Sequence, residues 1–190
     1  MSEVTVDKSI DCKGLSCPMP IVRTKKAIDE ITPGQVLEVV ATDAGSAADM
    51  KSWADRTGHQ FIGTNTADGM YKHYIRKSNP EETQPETKHP HVVSNEELLA
   101  KLSEHPVLLD VREPAEYKFG HIPGAKLVPF GQLEEKLAEL TPLAGQEIHV
   151  ICRTGSRSDM ACQLLTAKGF ANVKNVVPGM SGWTGPVQVQ

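Results

Sequence analysis

IHVICRTGSRSDMACQLLTAKGF, residues 148–170, sets a cysteine directly after a short apolar run and directly ahead of a stretch with helical character. Ile148 to Ile151 is compact, apolar and partly β-branched, as a buried strand is. Ser156 to Lys168 has the length of a helix and is stopped by Gly169. Cys152 therefore falls at the carboxyl end of a strand, where functional groups of open parallel sheets collect. Successive N–H groups in so tight a loop, together with the free donors of a helix N-terminus, make a cradle for an anion. A cysteine held there is expected as a thiolate. Arg153 and Arg157 add positive charge, and Gly155 supplies backbone freedom inside the curve.

Working outward, Ser94 and Glu97 form a capping-box pattern at the head of a helix running to about Leu102. Val107 to Val111 reads as a strand, Phe130 to Leu140 as a helix and Val173 to Val177 as a closing strand. This alternation predicts a parallel sheet with helices on both faces. Ser78 to His91 carries Pro80, Pro85 and Pro90 and no large apolar residue, so it reads as a linker, with His89 and His91 as part of its polarity. Ahead of it, Val4 to Asp11, Gln35 to Thr42, Phe61 to Thr66 and Met70 to Arg76 are strand candidates. Pro18 to Glu30 and Ser46 to Thr57 are helix candidates, so the order is βαβαββ. The expected architecture is α/β in two domains: a two-layer βαβαββ sandwich over residues 1–77, a linker over 78–91, and the helix-covered parallel sheet over 92–190.

Bulk properties narrow the chemistry. The net charge of −4 is mild, and dividing the chain near residue 80 leaves ten basic and ten acidic residues before it, ten and fourteen after. Neither half carries the basic excess of a nucleic-acid groove. The opening MSEVTVDKS has no basic or apolar leader character, and no apolar run of about 18 residues occurs, so a soluble cytoplasmic protein without membrane contact is expected. Four cysteines are too sparse for a disulfide scaffold, and no two have the CxxC spacing of a zinc site. No metal or cofactor is called for. Each thiol serves packing or reactivity, and its neighbours decide which. Cys162, within the helix beside Met160, Leu164 and Leu165, reads as packing.

The Cys152-to-Arg157 loop, with four residues between its ends, resembles the active-site loop of the rhodanese family. LLDVREPAEYKFGHIPGAKLVPF, Leu108 to Phe130, matches that family's first signature and VPGMSGW, Val177 to Trp183, its closing segment. The resemblance implies that Cys152 takes sulfur from thiosulfate or another sulfane donor as a persulfide. The backbone of Arg153, Thr154, Gly155, Ser156 and Arg157 would bind donor and persulfide, with Arg153 attracting the anion and Arg157 stabilising the product. Asp110 and Arg112 match the DVR segment and would brace the loop. A Cdc25-like phosphatase or arsenate reductase also places a thiolate in an amide cradle, but has five residues between cysteine and arginine to hold a tetrahedral oxyanion.

DCKGLSCPMP, Asp11 to Pro20, sets a second cysteine just before a helix whose first turn holds Pro18 and Pro20, residues tolerated there because first-turn N–H groups have no intrahelical partner. Cys17 is expected at the cap, where the helix dipole favours a thiolate. The DxxGLxCPxP pattern and the βαβαββ order resemble the TusA (SirA-like) sulfur carriers, which implies a persulfide on Cys17 handed to a partner protein. Cys12, five positions earlier, is either a bystander or a thiol that resolves the persulfide. Arg23, Lys25 and Lys26 are either a docking face or a solvated helix face. The joint expectation is a sulfurtransferase in which Cys152 loads and Cys17 receives, with a small sulfane donor (thiosulfate or a low-molecular-weight persulfide) and a sulfur-acceptor protein as partners. A reactive-sulfur sensor and a carrier with little turnover stand beside it.

Overall fold

The computed structural model describes residues 4–83 and 88–190. The chain divides into two compact units, Met1–Pro80 and Glu81–Gln190.

In the first unit the elements are β1 (Lys8–Cys12), α1 (Met19–Asp29), β2 (Val36–Ala41), α2 (Ser46–Thr57), β3 (Gln60–Ala67) and β4 (Met70–Arg76). The sheet order is β1-β2-β4-β3, with β1 parallel to β2 and the other pairs antiparallel. A parallel pair needs a crossover, and α1 supplies it. Strand alternation sends Leu37 and Val39 into the core with Ile75, where Ala27 and Ile28 of α1 and Met50, Trp53 and Ala54 of α2 cover them. Glu38 points the other way and accepts from Ser9 Oγ at 2.8 Å and Tyr74 Oη at 2.9 Å. The β3–β4 turn has φ of 53° at Asp68 and 72° at Gly69, the sense that matches the twist of a two-residue hairpin.

The second unit runs β5 (Val92–Ser94), α3 (Asn95–Lys101), β6 (Val107–Asp110), α4 (Pro114–Phe119), β7 (Lys126–Leu127), α5 (Leu137–Leu140), β8 (Glu147–Ile151), α6 (Ser156–Ala167) and β9 (Asn172–Val177). Its five strands are parallel throughout in the order β5-β9-β8-β6-β7. One face packs Leu109, Ile148, Val150 and Val173 against Ala161, Cys162 and Leu165 of α6. The other packs Leu108, Ile151 and Val176 against Leu98 of α3 and Tyr117 of α4. Each fully buried aliphatic side chain contributes about 1.5–3 kcal/mol. The capping box is present: Glu97 N donates to Ser94 Oγ at 3.1 Å and Ser94 N to Glu97 Oε2 at 2.7 Å.

The structure departs from the sequence reading in three places. Phe130 to Leu140 is not one helix but a 3-10 turn (Phe130–Gln132) and the single turn α5, with a second 3-10 turn (Thr141–Leu143) directly after it. Gly131 and Pro142 deny the stretch a regular ladder, yet Leu133 and Leu140 still reach the core. β5, α4 and β7 are too short to show a period. The end of the expected linker is docked: Lys88 N and His89 N donate to the Asp159 carboxylate at 3.1 and 2.8 Å, and His89 Nε2 donates to the Val173 carbonyl at 2.7 Å. His89 is therefore a buried structural residue. Residues 84–87 of that stretch lie outside the described residues. Among the described residues no helix is long and apolar enough to cross a membrane.

Candidate functional site

Alternation along β8 continues past its end, so Cys152 follows Ile148 and Val150 onto the α6 side of the sheet. The chain then curls through residues 153–155 into α6, with Gly155 at the cap in the left-handed region, φ 97°. Gly155 N donates to Cys152 Sγ at 3.1 Å, and Ser158 Oγ in the first turn of α6 lies 3.3 Å from the same sulfur. Segment 177–183 clips the loop from outside: Met180 N donates to the Cys152 carbonyl at 2.9 Å and Ser181 N to that of Arg153 at 2.8 Å. Gly179 makes this possible. It sits at φ 83°, and a Cβ there would lie 2.5 Å from the Cys152 carbonyl oxygen.

Arg157 behaves differently from the expectation. Its guanidinium is buried and forks onto Glu116 of α4 through Nη1 at 2.7 Å and Nη2 at 2.9 Å, with Glu82 3.6 Å from Nε. Burial alone would pull its pKa down, but the Glu116 charge and hydrogen bonds hold it above the ordinary guanidinium value. Its hydrogen bonds thus go to Glu116, while its charge still acts on Cys152. Arg153 and Thr154 are exposed on the loop and Ser156 is half-buried. Asp110 and Arg112 form a buried bidentate pair, with Arg112 Nη2 2.6 Å from Asp110 Oδ2 and 2.8 Å from the Gly120 carbonyl it also donates to. Cys162 lies in the core, its thiol pushed up by burial.

Cys17 is exposed at the head of α1, but not as its cap. Met19 N bonds the Ser16 carbonyl at 2.9 Å, so a turn uses up the CPMP stretch, and the cap is Pro18. A shallow pocket beside Cys17 is lined by Pro20, Ile21, Asp43, Ser46, Asp49 and Met50. The thiol donates to the Asp49 carboxylate, which holds its pKa above the usual value, with some desolvation and the charges of Asp49 and Asp43 acting the same way. The helix head does not make Cys17 a thiolate, because α2 brings a carboxylate to the sulfur. Cys12, at the end of β1, is packed in the core with its thiol raised chiefly by burial. That placement opposes disulfide exchange in the folded state. Arg23 donates to the Asp11 carbonyl at 2.8 Å, which ties it to the end of β1.

Residues 8–77 match the family described as sulfurtransferase TusA, and residues 94–186 the rhodanese-like domain. The Bacillus subtilis protein named "Putative sulfur carrier protein YrkF" is 42% identical over 181 residues, covering 94% of this chain and 96% of its own length. The chain belongs to the TusA–rhodanese fusion family. The sulfur carrier protein TusA of Allochromatium vinosum is 40% identical over 72 residues, 38% of this chain and 95% of that protein. A rhodanese-related protein from Thermoplasma volcanium, solved by crystallography, covers 53% of this chain and 99% of its own, at 30% identity and a TM-score of 0.49. Sulfur transfer is the chemistry that the TusA and rhodanese-like domains share.

Three residues of the rhodanese-like site escaped the sequence reading. Glu116 and Ser158 stand in helices with no local signal of their role. Asn175, a polar residue inside the apolar run of β9, is such a signal: it is fully buried, and Nδ2 donates to the Gly155 carbonyl at 3.1 Å.

Glu116→Gln should lower the stability of the rhodanese-like domain by about 3 kcal/mol, because it leaves a buried guanidinium without its main counter-charge. Amide exchange along β8 in the full chain should show roughly a hundredfold loss of protection, and unchanged protection would contradict the role given to the pair. Asp49→Asn should raise the rate of Cys17 alkylation by iodoacetamide at pH 7, roughly tenfold for each unit by which the thiol pKa falls. A rate equal to or below wild type would exclude Asp49 as the group that keeps Cys17 protonated.

Proposed function

We propose that this protein takes sulfane sulfur from a small anionic donor onto Cys152 and passes it to Cys17, which delivers it to an acceptor protein. The observation that carries the reading is the surroundings of Cys152: a sulfur at the end of a central parallel strand, with a loop amide 3.1 Å away and four residues between it and Arg157. In the first step the Cys152 thiolate attacks the outer sulfur of thiosulfate. The sulfur–sulfur bond of the donor breaks, sulfite leaves with its electron pair, and a persulfide anion remains on Cys152. In the second step the Cys17 thiolate attacks the outer sulfur of that persulfide, and Cys152 leaves as a thiolate. Charge balances in both steps and no outside oxidant or reductant is consumed.

Arg153 is exposed and suited to drawing in the anion, whereas Arg157 is occupied by Glu116 and serves to hold the loop. The amides of Thr154, Ser156 and Arg157 are the donors that the outer sulfur would meet. A thiol held protonated by Asp49 makes Cys17 a slow nucleophile when alone, so its loading should accelerate as pH rises. A covalent tether supports the hand-over by keeping the partners at an effective concentration of order millimolar.

Turnover from thiosulfate to cyanide, yielding thiocyanate and sulfite, tests the enzymatic part. Wild type and Cys17→Ser should turn over, while Cys152→Ser should fall to background. Stoichiometric modification without turnover would favour a sensor or a simple carrier, and hydrolysis of an aryl phosphate without thiocyanate would favour the phosphatase chemistry.

A further inference from the structure

Behind the sulfur of Cys152 lies a pair of polar side chains to which the transfer reaction assigns no task. Ser158 Oγ is 3.3 Å from Cys152 Sγ and 2.6 Å from Asn175 Oδ1, and Asn175 Nδ2 is 3.1 Å from the Gly155 carbonyl oxygen. Ser158 and Asn175 are 0% exposed and Cys152 is 1% exposed, so water does not substitute freely for any of them. β9 fixes the arrangement, because alternation puts Asn175 on the same face as Val173, toward the start of α6.

Hydrogen counting gives the chain a direction. Turning the Asn175 amide round would set Oδ1 against the Gly155 carbonyl, two acceptors face to face, so Nδ2 must face Gly155 and Oδ1 must face Ser158. An amide oxygen only accepts. Ser158 has a single hydroxyl hydrogen, and the 2.6 Å contact commits it to Asn175. A protonated Cys152 can then donate its S–H to Ser158 Oγ, and the three groups are satisfied in sequence. An anionic sulfur reverses the demand: Ser158 now presents a lone pair to a negative charge. One rotation about the Cβ–Oγ bond brings the hydrogen to the sulfur and releases Asn175.

We propose that Ser158 is a positioning residue that turns its hydroxyl from Asn175 to Cys152 when the sulfur is anionic, and that Asn175 is the counterweight holding the hydroxyl away in the thiol form. This deepens the reading of Cys152 as the sulfur-loading thiol and rests on it. The ionising proton leaves Cys152 for a base in solution, the hydroxyl proton stays on Ser158 throughout, and only the S–H bond breaks. The thiolate and the persulfide anion thereby gain a second donor beside Gly155 N–H, at the cost of one neutral hydrogen bond.

The switch predicts opposite signs for its two members, which a merely structural tie between β9 and α6 does not. In the full chain, the pH dependence of Cys152 alkylation by iodoacetamide, read by peptide mass spectrometry, gives the ionisation midpoint. Ser158→Ala should raise the midpoint by roughly one pH unit, Ser158→Thr should restore it, and Asn175→Ala should lower it. Ser158→Ala within a few tenths of a unit of wild type, or an upward or absent shift in Asn175→Ala, overturns the proposal. If Ser158→Ala does not fold, the sign in Asn175→Ala decides alone. Thiocyanate production by wild type separates the two layers. Its absence removes the sulfur-transfer reading while the ionisation curves still judge the switch, and its presence with unmoved midpoints removes the switch alone.

Discussion

The Cys152 loop depends on a charge pair buried beneath it. Arg157 closes the loop by turning inward to Glu116 rather than outward to a ligand, and this joins α6 to α4 through two hydrogen bonds at 2.7 and 2.9 Å. Desolvating two charges is costly, so such a pair is tolerated where geometry is bidentate and the alternative is an unpaired buried charge. With the guanidinium hydrogen-bonded in this way, the groups that touch the sulfur are the Gly155 N–H and the Ser158 hydroxyl, while the Arg157 charge acts on it from behind the loop. Gly179 completes the enclosure from the other side, where only a residue without Cβ lets segment 177–183 bond the loop carbonyls.

What could be read in the sequence follows how local each determinant is. Strand, cysteine, tight loop and helix occur within twenty residues, so Cys152 and its loop were legible, as was the glycine-stopped α6. The occupation of Arg157 was not, because its partner lies 41 positions away in a six-residue helix with no periodic signal. The same holds for Cys17. Its place before a proline-bearing helix was evident, but the field at its sulfur comes from Asp49 on α2, and a carboxylate outweighs the helix head. Phe130 to Leu140 carries leucines at helical spacing, but Gly131 within it and Pro142 just beyond it interrupt the helical ladder. His89 looked like linker polarity until β9 and α6 supplied its partners.

The two thiols are set in opposite surroundings. Cys152 is buried, with the Gly155 N–H at 3.1 Å and the Ser158 hydroxyl at 3.3 Å from its sulfur. Cys17 is exposed beside an acceptor, which favours a neutral one. A loader needs its anion stabilised and shielded, whereas a carrier must present its sulfur to a partner and gains from staying inert until it does. The contrast is what gives the proposed relay its direction.

That direction is open to one measurement. The full chain is mixed with thiosulfate labelled in its outer sulfur, quenched over a time course, and the label is followed on the peptides carrying Cys152 and Cys17. The account predicts that label rises first on Cys152, then on Cys17 as Cys152 declines, and that Cys152→Ser leaves Cys17 unlabelled. Label reaching Cys17 at an undiminished rate in Cys152→Ser would contradict it.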